Sequence, residues 1–125
     1  AERDGVDMRM YRIIYDCIDE IQAAGAIEYI RKTGTLLMEG LRQAANAAGL
    51  QVNVTGPPAM PYMTFADDPL FEKNRFFCGE AARRGIFFHP HHNWFVCAAM
   101  TESDILRTID VASECFKLTK EKFGG

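Results

Sequence analysis

His89-Pro90-His91-His92 is the one concentration of histidines in the chain, and Cys97 follows five residues later. Imidazoles this close together are candidate metal ligands, with Cys97 or an acid completing the set. Cys97 beside a histidine is also the material of a nucleophile and its base. Structural readings outweigh both. Pro90 restricts the backbone, and His91 and His92 diverge on an extended segment. A tract this short seldom holds a metal alone. Cys97 falls within Trp94-Phe95-Val96-Cys97-Ala98-Ala99, which reads as a buried strand carrying an inert thiol. The sequence thus assigns no metal ligand and no nucleophile, and leaves a polar loop between two apolar segments.

Other reactive residue types resolve the same way. Gly56-Pro57-Pro58 lacks the glycine pattern of a phosphate cradle, and its prolines remove amide donors. Asp67 and Asp68 precede Pro69, so helix capping accounts for at least one of them. Lys32, Lys73, Lys117, Lys120 and Lys122 fall in helical patterns, on their surfaces, where nothing lowers an amine pKa. Phe65, Phe76, Phe77, Phe87, Phe88, Trp94 and Phe95 read as core or interface. With a net charge of −3 and no basic groove, nucleic-acid binding has no support.

The elements that position these residues follow from periodicity. Met10, Ile13, Ile14, Cys17, Ile18 and Ile21 make a helical stripe. A second helix carries Ile27, Ile30, Leu37, Met38 and Leu41 and stops at Gly49. Gly34 and Gly40 lie inside it at a cost of about 1 kcal/mol each against Ala, which close packing would justify. Gln51–Thr55 and Tyr62–Phe65 read as strands. A third helix opens at Asp67-Asp68-Pro69 and ends near Gly85. Ile86–Phe88 and Trp94–Ala98 read as two more strands. Thr101 and Asp104 resemble a capping box for a last helix with Ile105, Ile109, Ala112 and Phe116 on one side. The predicted fold is α+β, a small, mostly antiparallel sheet packed with helices in the order α-α-β-β-α-β-β-α.

At 125 residues the chain suits one domain, 1–125, able to bury a core without disulfides or metal. Cys17, Cys78 and Cys115 fall in helical patterns as core or half-buried residues, and a reduced, cytoplasmic protein is expected. No apolar run reaches membrane-spanning length and no signal-peptide pattern opens the chain. Its start at Ala1 fits a processed, tagged or excised fragment.

Ala24-Gly25-Ala26-Ile27-Glu28-Tyr29-Ile30, followed by Thr33-Gly34-Thr35-Leu36-Leu37-Met38-Glu39-Gly40-Leu41-Arg42, resembles the long helix joining large and small domains in class III (fold type I) pyridoxal-phosphate-dependent aminotransferases. Gly56 with its following strand, Arg84-Gly85-Ile86 and the run Ala98–Ile105 match further C-terminal landmarks of that family, in its glutamate-1-semialdehyde 2,1-aminomutase-like branch. The resemblance implies a C-terminal small domain, with residues 1–24 a helix at the boundary to the large domain. It implies a homodimeric, intact enzyme acting on a small amino compound, with pyridoxal phosphate on a large-domain lysine upstream of this segment. No cofactor-binding residue carries over, so the chain alone is expected to be inactive. The family's small domain closes over substrate through the loop before its last strand. Here that is His89–Trp94, which makes His91, His92, Asn93 and Trp94 the candidate substrate-side wall. The aminomutase has a glutamate in this region and many relatives an arginine nearby; this loop has neither. The rival reading is a free-standing interaction or ligand-binding domain without catalysis.

Overall fold

The computed structural model describes residues 12–20 and 25–124. Residues 12–20 are helical, α1, and expose Ile13, Ile14 and Ile18 along the predicted stripe. Met10 and Ile21, with the rest of the expected boundary helix, lie outside the described residues.

Helix α2, Ala26–Ala47, buries Thr33, Gly34, Leu37, Met38, Leu41, Ala44 and Ala45, a stripe at three- and four-residue spacing. Gly49, at φ 75°, ends it in the left-handed region where glycine carries no steric penalty. Both internal glycines have packing reasons. A Cβ on Gly34 would overlap the carbonyl oxygen of Pro58, and one on Gly40 would overlap the Ile109 side chain.

Strands β1, Val52–Thr55, and β2, Tyr62–Phe65, pair antiparallel from Val52 opposite Phe65 to Thr55 opposite Tyr62. Arg42 donates to the Val54 carbonyl (2.8 Å) and ties α2 to the sheet. Helix α3 is Glu72–Arg83 and helix α4 is Glu102–Phe123. The α4 capping box forms as predicted: the Asp104 amide donates to Thr101 Oγ1, and the Thr101 amide to the Asp104 carboxylate. Arg84 pairs with Glu80 (2.8 Å) and Glu114 (3.3 Å), joining the end of α3 to α4.

The core lies where α2, α3 and α4 meet one face of the hairpin. Leu41, Met63, Phe77 and Phe116 are fully enclosed there. Phe77 stacks on Phe116 at 4.5 Å between ring centroids and on Phe88 at 5.7 Å; Phe88 in turn meets Trp94 at 4.4 Å. This aromatic chain runs from the centre of the domain to the base of the histidine loop.

The α+β class, and the order of the four helices and the β1–β2 hairpin, are those read from the sequence. Several details differ. Helix α3 begins at Glu72, and Pro69 lies before its first turn. Asp68 still caps it, reaching across Pro69-Leu70-Phe71 to accept from the amides of Lys73 (3.1 Å) and Asn74 (2.9 Å). Phe71 takes φ 57° to close that turn, a conformation costly for a bulky side chain. Lys73 is 9% exposed rather than on the surface.

The segments 86–88 and 94–98 carry no assigned strand ladder. The amides of Trp94 and Val96 do donate to the carbonyls of Pro61 (2.8 Å) and Ala59 (2.9 Å), in antiparallel register just before β2. Pro61 has no N–H to return to Trp94, so that pair runs one way only. Cys17 and Cys97 are exposed, not core residues, whereas Cys78 and Cys115 are buried. Among the described residues no helix is long and apolar enough to cross a membrane.

Candidate functional site

The loop 89–94 stands between the segment after α3 and the edge of β2, and side-chain donors hold it there. Asn74, fully buried on α3, gives one amide hydrogen to the Met63 carbonyl (3.2 Å) and the other to the Pro90 carbonyl (2.8 Å). The Tyr62 hydroxyl donates to the same Pro90 oxygen (2.8 Å). Trp94 Nε1 donates to the His89 carbonyl (2.8 Å) and closes the loop on itself. Pro90 offers no amide of its own, so donors from β2 and α3 replace a backbone ladder. Among the described residues, no buried side-chain polar atom lacks a partner.

The four candidate wall residues do not all face the same way. His91 and His92 are exposed, Asn93 is half-buried and Trp94 is buried beneath them. The His92 ring stacks on His89, 3.6 Å between centroids and 13° from parallel. The His91 ring turns to the edge of Phe71 (5.1 Å), the residue strained to start α3. The His91 amide donates to His89 Nδ1 (3.1 Å), so that nitrogen keeps its lone pair and His89 is neutral. His92 Nδ1 lies 2.7 Å from the Asn93 carbonyl and must donate to it. Desolvation first, then the neighbouring His92 and His91, hold the His89 pKa below its ordinary value. Among the described residues neither the His91 ring nor the Asn93 amide makes a side-chain hydrogen bond, which leaves both free to meet a polar molecule.

The histidines do not form a metal centre with other ligands: among the described residues no group of three or more His, Cys, Asp or Glu is so arranged. Burial, with the Cys115 thiol nearby, pushes Cys78 up to about 12, and burial pushes Cys115 up to about 11, so both stay protonated. The residues present do not fit a pyridoxal phosphate either. Lys73 is buried, but its Nζ donates to Asp67 (2.9 Å), the contact that lowers the Asp67 pKa. The N-terminal amides of α3 and α4 are already taken by Asp68 and by the Thr101–Asp104 box, leaving no phosphate cradle at either.

Beside the loop, a cleft of about 380 Å³ runs between 86–88, 94–96 and the start of α4, with Arg107 and Asp104 at its rim. Phe87 and Phe95 flank it, 83% and 68% exposed. The aromatics read from the sequence as core or interface therefore divide. Phe65, Phe77, Phe88 and Trp94 are inside, and Phe87 and Phe95 are outside, because alternate side chains of an extended segment point to opposite faces. Asn74 was not singled out by the sequence reading. Its signal is positional: a polar residue in register with Phe77, Cys78 and Ala81 on the buried face of the helix.

No family model matches the chain. It is 32% identical to the aminopentol aminotransferase of Sphingopyxis macrogoltabida over 97 residues, which cover 78% of this chain and 23% of that protein. It is 25% identical to the 3-aminobutyryl-CoA aminotransferase of Cloacimonas acidaminovorans, over 83% of this chain and 26% of the relative. It is 30% identical to the glutamate-1-semialdehyde 2,1-aminomutase of Desulfatibacillum aliphaticivorans, over 80% and 26%. The fold matches the FumI protein of Sphingopyxis sp. MTA144, solved in its PLP internal aldimine form, with a TM-score of 0.76 and 31% identity. That match covers 80% of this chain and 24% of FumI. The resemblance to class III, pyridoxal-phosphate-dependent aminotransferases therefore holds in sequence and in fold. The chain spans about a quarter of the length of the curated relatives it matches.

Proposed function

We propose that the chain is the C-terminal small domain of a pyridoxal-phosphate-dependent aminotransferase or aminomutase, and that it closes the active site over an amino-group-bearing substrate. The observation that carries this reading is the asymmetry of the matches, which take in most of this chain but a quarter of each relative. The exposed apolar residues of α1, with Ile27 and Tyr29 at the start of α2, support it, since such a surface belongs against another domain. The partners we assign are the large domain of the same polypeptide and a second copy in a homodimer. Four free thiols suit the reducing cytoplasm.

Pyridoxal phosphate, held by the rest of the enzyme, would supply the electron sink for amino-group chemistry. This chain's own residues would shape the cavity and exclude water as the loop closes. His91, His92 and Asn93 present polar edges to the substrate, and Trp94 forms the floor that keeps them raised. The free His91 ring and Asn93 amide would orient the substrate through hydrogen bonds.

The experiment uses the full-length polypeptide, loaded with pyridoxal phosphate and offered L-glutamate, L-alanine and a simple amino alcohol while cofactor absorbance is followed. An amine-dependent spectral change is expected. Alanine at His91, His92 and Asn93 should raise KM for the accepted amine by about tenfold, the loss of roughly one good hydrogen bond. A native polypeptide that binds no cofactor would point instead to a free-standing domain. Unchanged kinetics in all three alanine variants would remove the loop from the substrate wall.

A further inference from the structure

We propose that Asn74, assisted by Tyr62, is a positioning residue that sets the height of the 89–94 loop and so the affinity for substrate; this rests on the loop's place in the substrate wall proposed above. Asn74 is fully enclosed on the apolar face of α3, between Phe77 and the turn that Asp68 caps. An apolar side chain would fill that space without the desolvation cost of an amide. What an apolar side chain lacks is two hydrogens on one nitrogen. Nδ2 spends one on Met63 in β2 and the other on Pro90 in the loop, so a single group fixes the distance between sheet and loop.

The rest of the anchorage makes Asn74 hard to replace. The Pro90 oxygen accepts from Asn74 and from Tyr62, which fills both of its lone pairs. Pro90 and Pro61 have no amide hydrogens, so the loop cannot recover a lost bond by pairing with the sheet edge. The backbone contacts that remain are the one-way donations from Trp94 and Val96, beyond the exposed tip. Asn74 is itself held: its main-chain amide is bound by Asp68, and its Oδ1 faces the Cys78 thiol at 3.9 Å. Loss of the amide would free the tip without releasing α3.

The test compares Asn74→Asp and Tyr62→Phe with His91→Ala and His92→Ala in the full-length enzyme. Aspartate keeps the shape but offers at most one hydrogen, so it cannot serve both carbonyls. Tyr62→Phe removes one hydrogen bond at a half-buried site and serves if Asn74→Asp folds poorly. Hydrogen exchange should rise about tenfold or more at the Trp94 and Val96 amides and stay unchanged in α2 and the β1–β2 pair. KM should rise about tenfold, as in the loop variants, with a smaller change in kcat. A folded variant with unchanged loop exchange and KM overturns the assignment, as does a uniform rise in exchange across the domain. A KM effect in Asn74→Asp with His91→Ala and His92→Ala both neutral overturns it as well, since the effect would not pass through the loop. If the loop variants raise KM and the Asn74 and Tyr62 variants do not, only the positioning role falls.

Discussion

His89 illustrates how much one proton can matter. Its Nδ1 accepts from the His91 amide and its ring lies flat on His92. A proton on Nδ1 would break the first contact and set a cation against the second ring. The folded state therefore favours the neutral form, and the His89 pKa lies below its ordinary value of 6.5. The sign follows from proton counting. Between the lowered folded value and 6.5, the unfolded or opened loop binds more protons than the closed one, so closure weakens as pH falls through that window. At neutral pH and above the contribution is flat. Ring titration by NMR in the full-length protein, with Trp94 amide exchange followed in parallel, should show the loop loosening as His89 protonates. Exchange that stays constant from pH 7 to pH 5 would contradict this coupling.

The two glycines of α2 separate two kinds of close contact. At Gly34 the obstacle is the Pro58 carbonyl, part of the turn joining β1 and β2, and backbone cannot rotate away. At Gly40 it is the far end of the Ile109 side chain, which has other rotamers. Alanine gains about 1 kcal/mol of helix propensity at either position. At Gly34 an overpacking cost of about 1–3 kcal/mol should exceed that gain, and at Gly40 the two should come closer to cancelling. Thermal melting of Gly34→Ala and Gly40→Ala should therefore rank Gly34→Ala as the less stable; the reverse order would show that the turn yields more readily than Ile109. That these glycines mark close packing was legible from their place inside an apolar stripe. The stripe of α2, the α4 capping box and the β1–β2 hairpin were legible for the same reason, being written in local spacing. The start of α3 was not, because Asp68 caps it across a three-residue turn that includes a left-handed Phe71. The apparent strands at 86–88 and 94–98 have the right composition, yet Pro61 cannot return a bond to Trp94, and the Ile86 amide goes back to Ala81 at the end of α3. In the candidate site the loop's position was readable. Its holder, Asn74, was not, since its partners lie 11 and 16 residues away in sequence.

At the scale of the whole molecule, the aromatic line from Phe116 through Phe77 and Phe88 to Trp94 joins the core to the loop. The outer surface is less settled. Ile13 and Tyr15 on α1 are 63% and 64% exposed, and Phe87 and Phe95 stand out beside the cleft. If a large domain normally covers part of this surface, the 125-residue chain by itself should self-associate. Sedimentation velocity should show concentration-dependent oligomers, reduced by Ile14→Ser with Tyr15→Ser. A stable monomer at high concentration would argue that these residues need no cover. The anchorage of the loop has a consequence for how such a domain diversifies. The acceptors that tie it to the sheet, to α3 and to Trp94, at Ala59, Pro61, Met63, His89 and Pro90, are main-chain oxygens. Main-chain oxygens survive any point substitution that leaves the backbone path intact. The exposed tip, residues 91–93, can thus be rewritten as an exchangeable cassette, offering new chemistry to new substrates while its mounting stays the same.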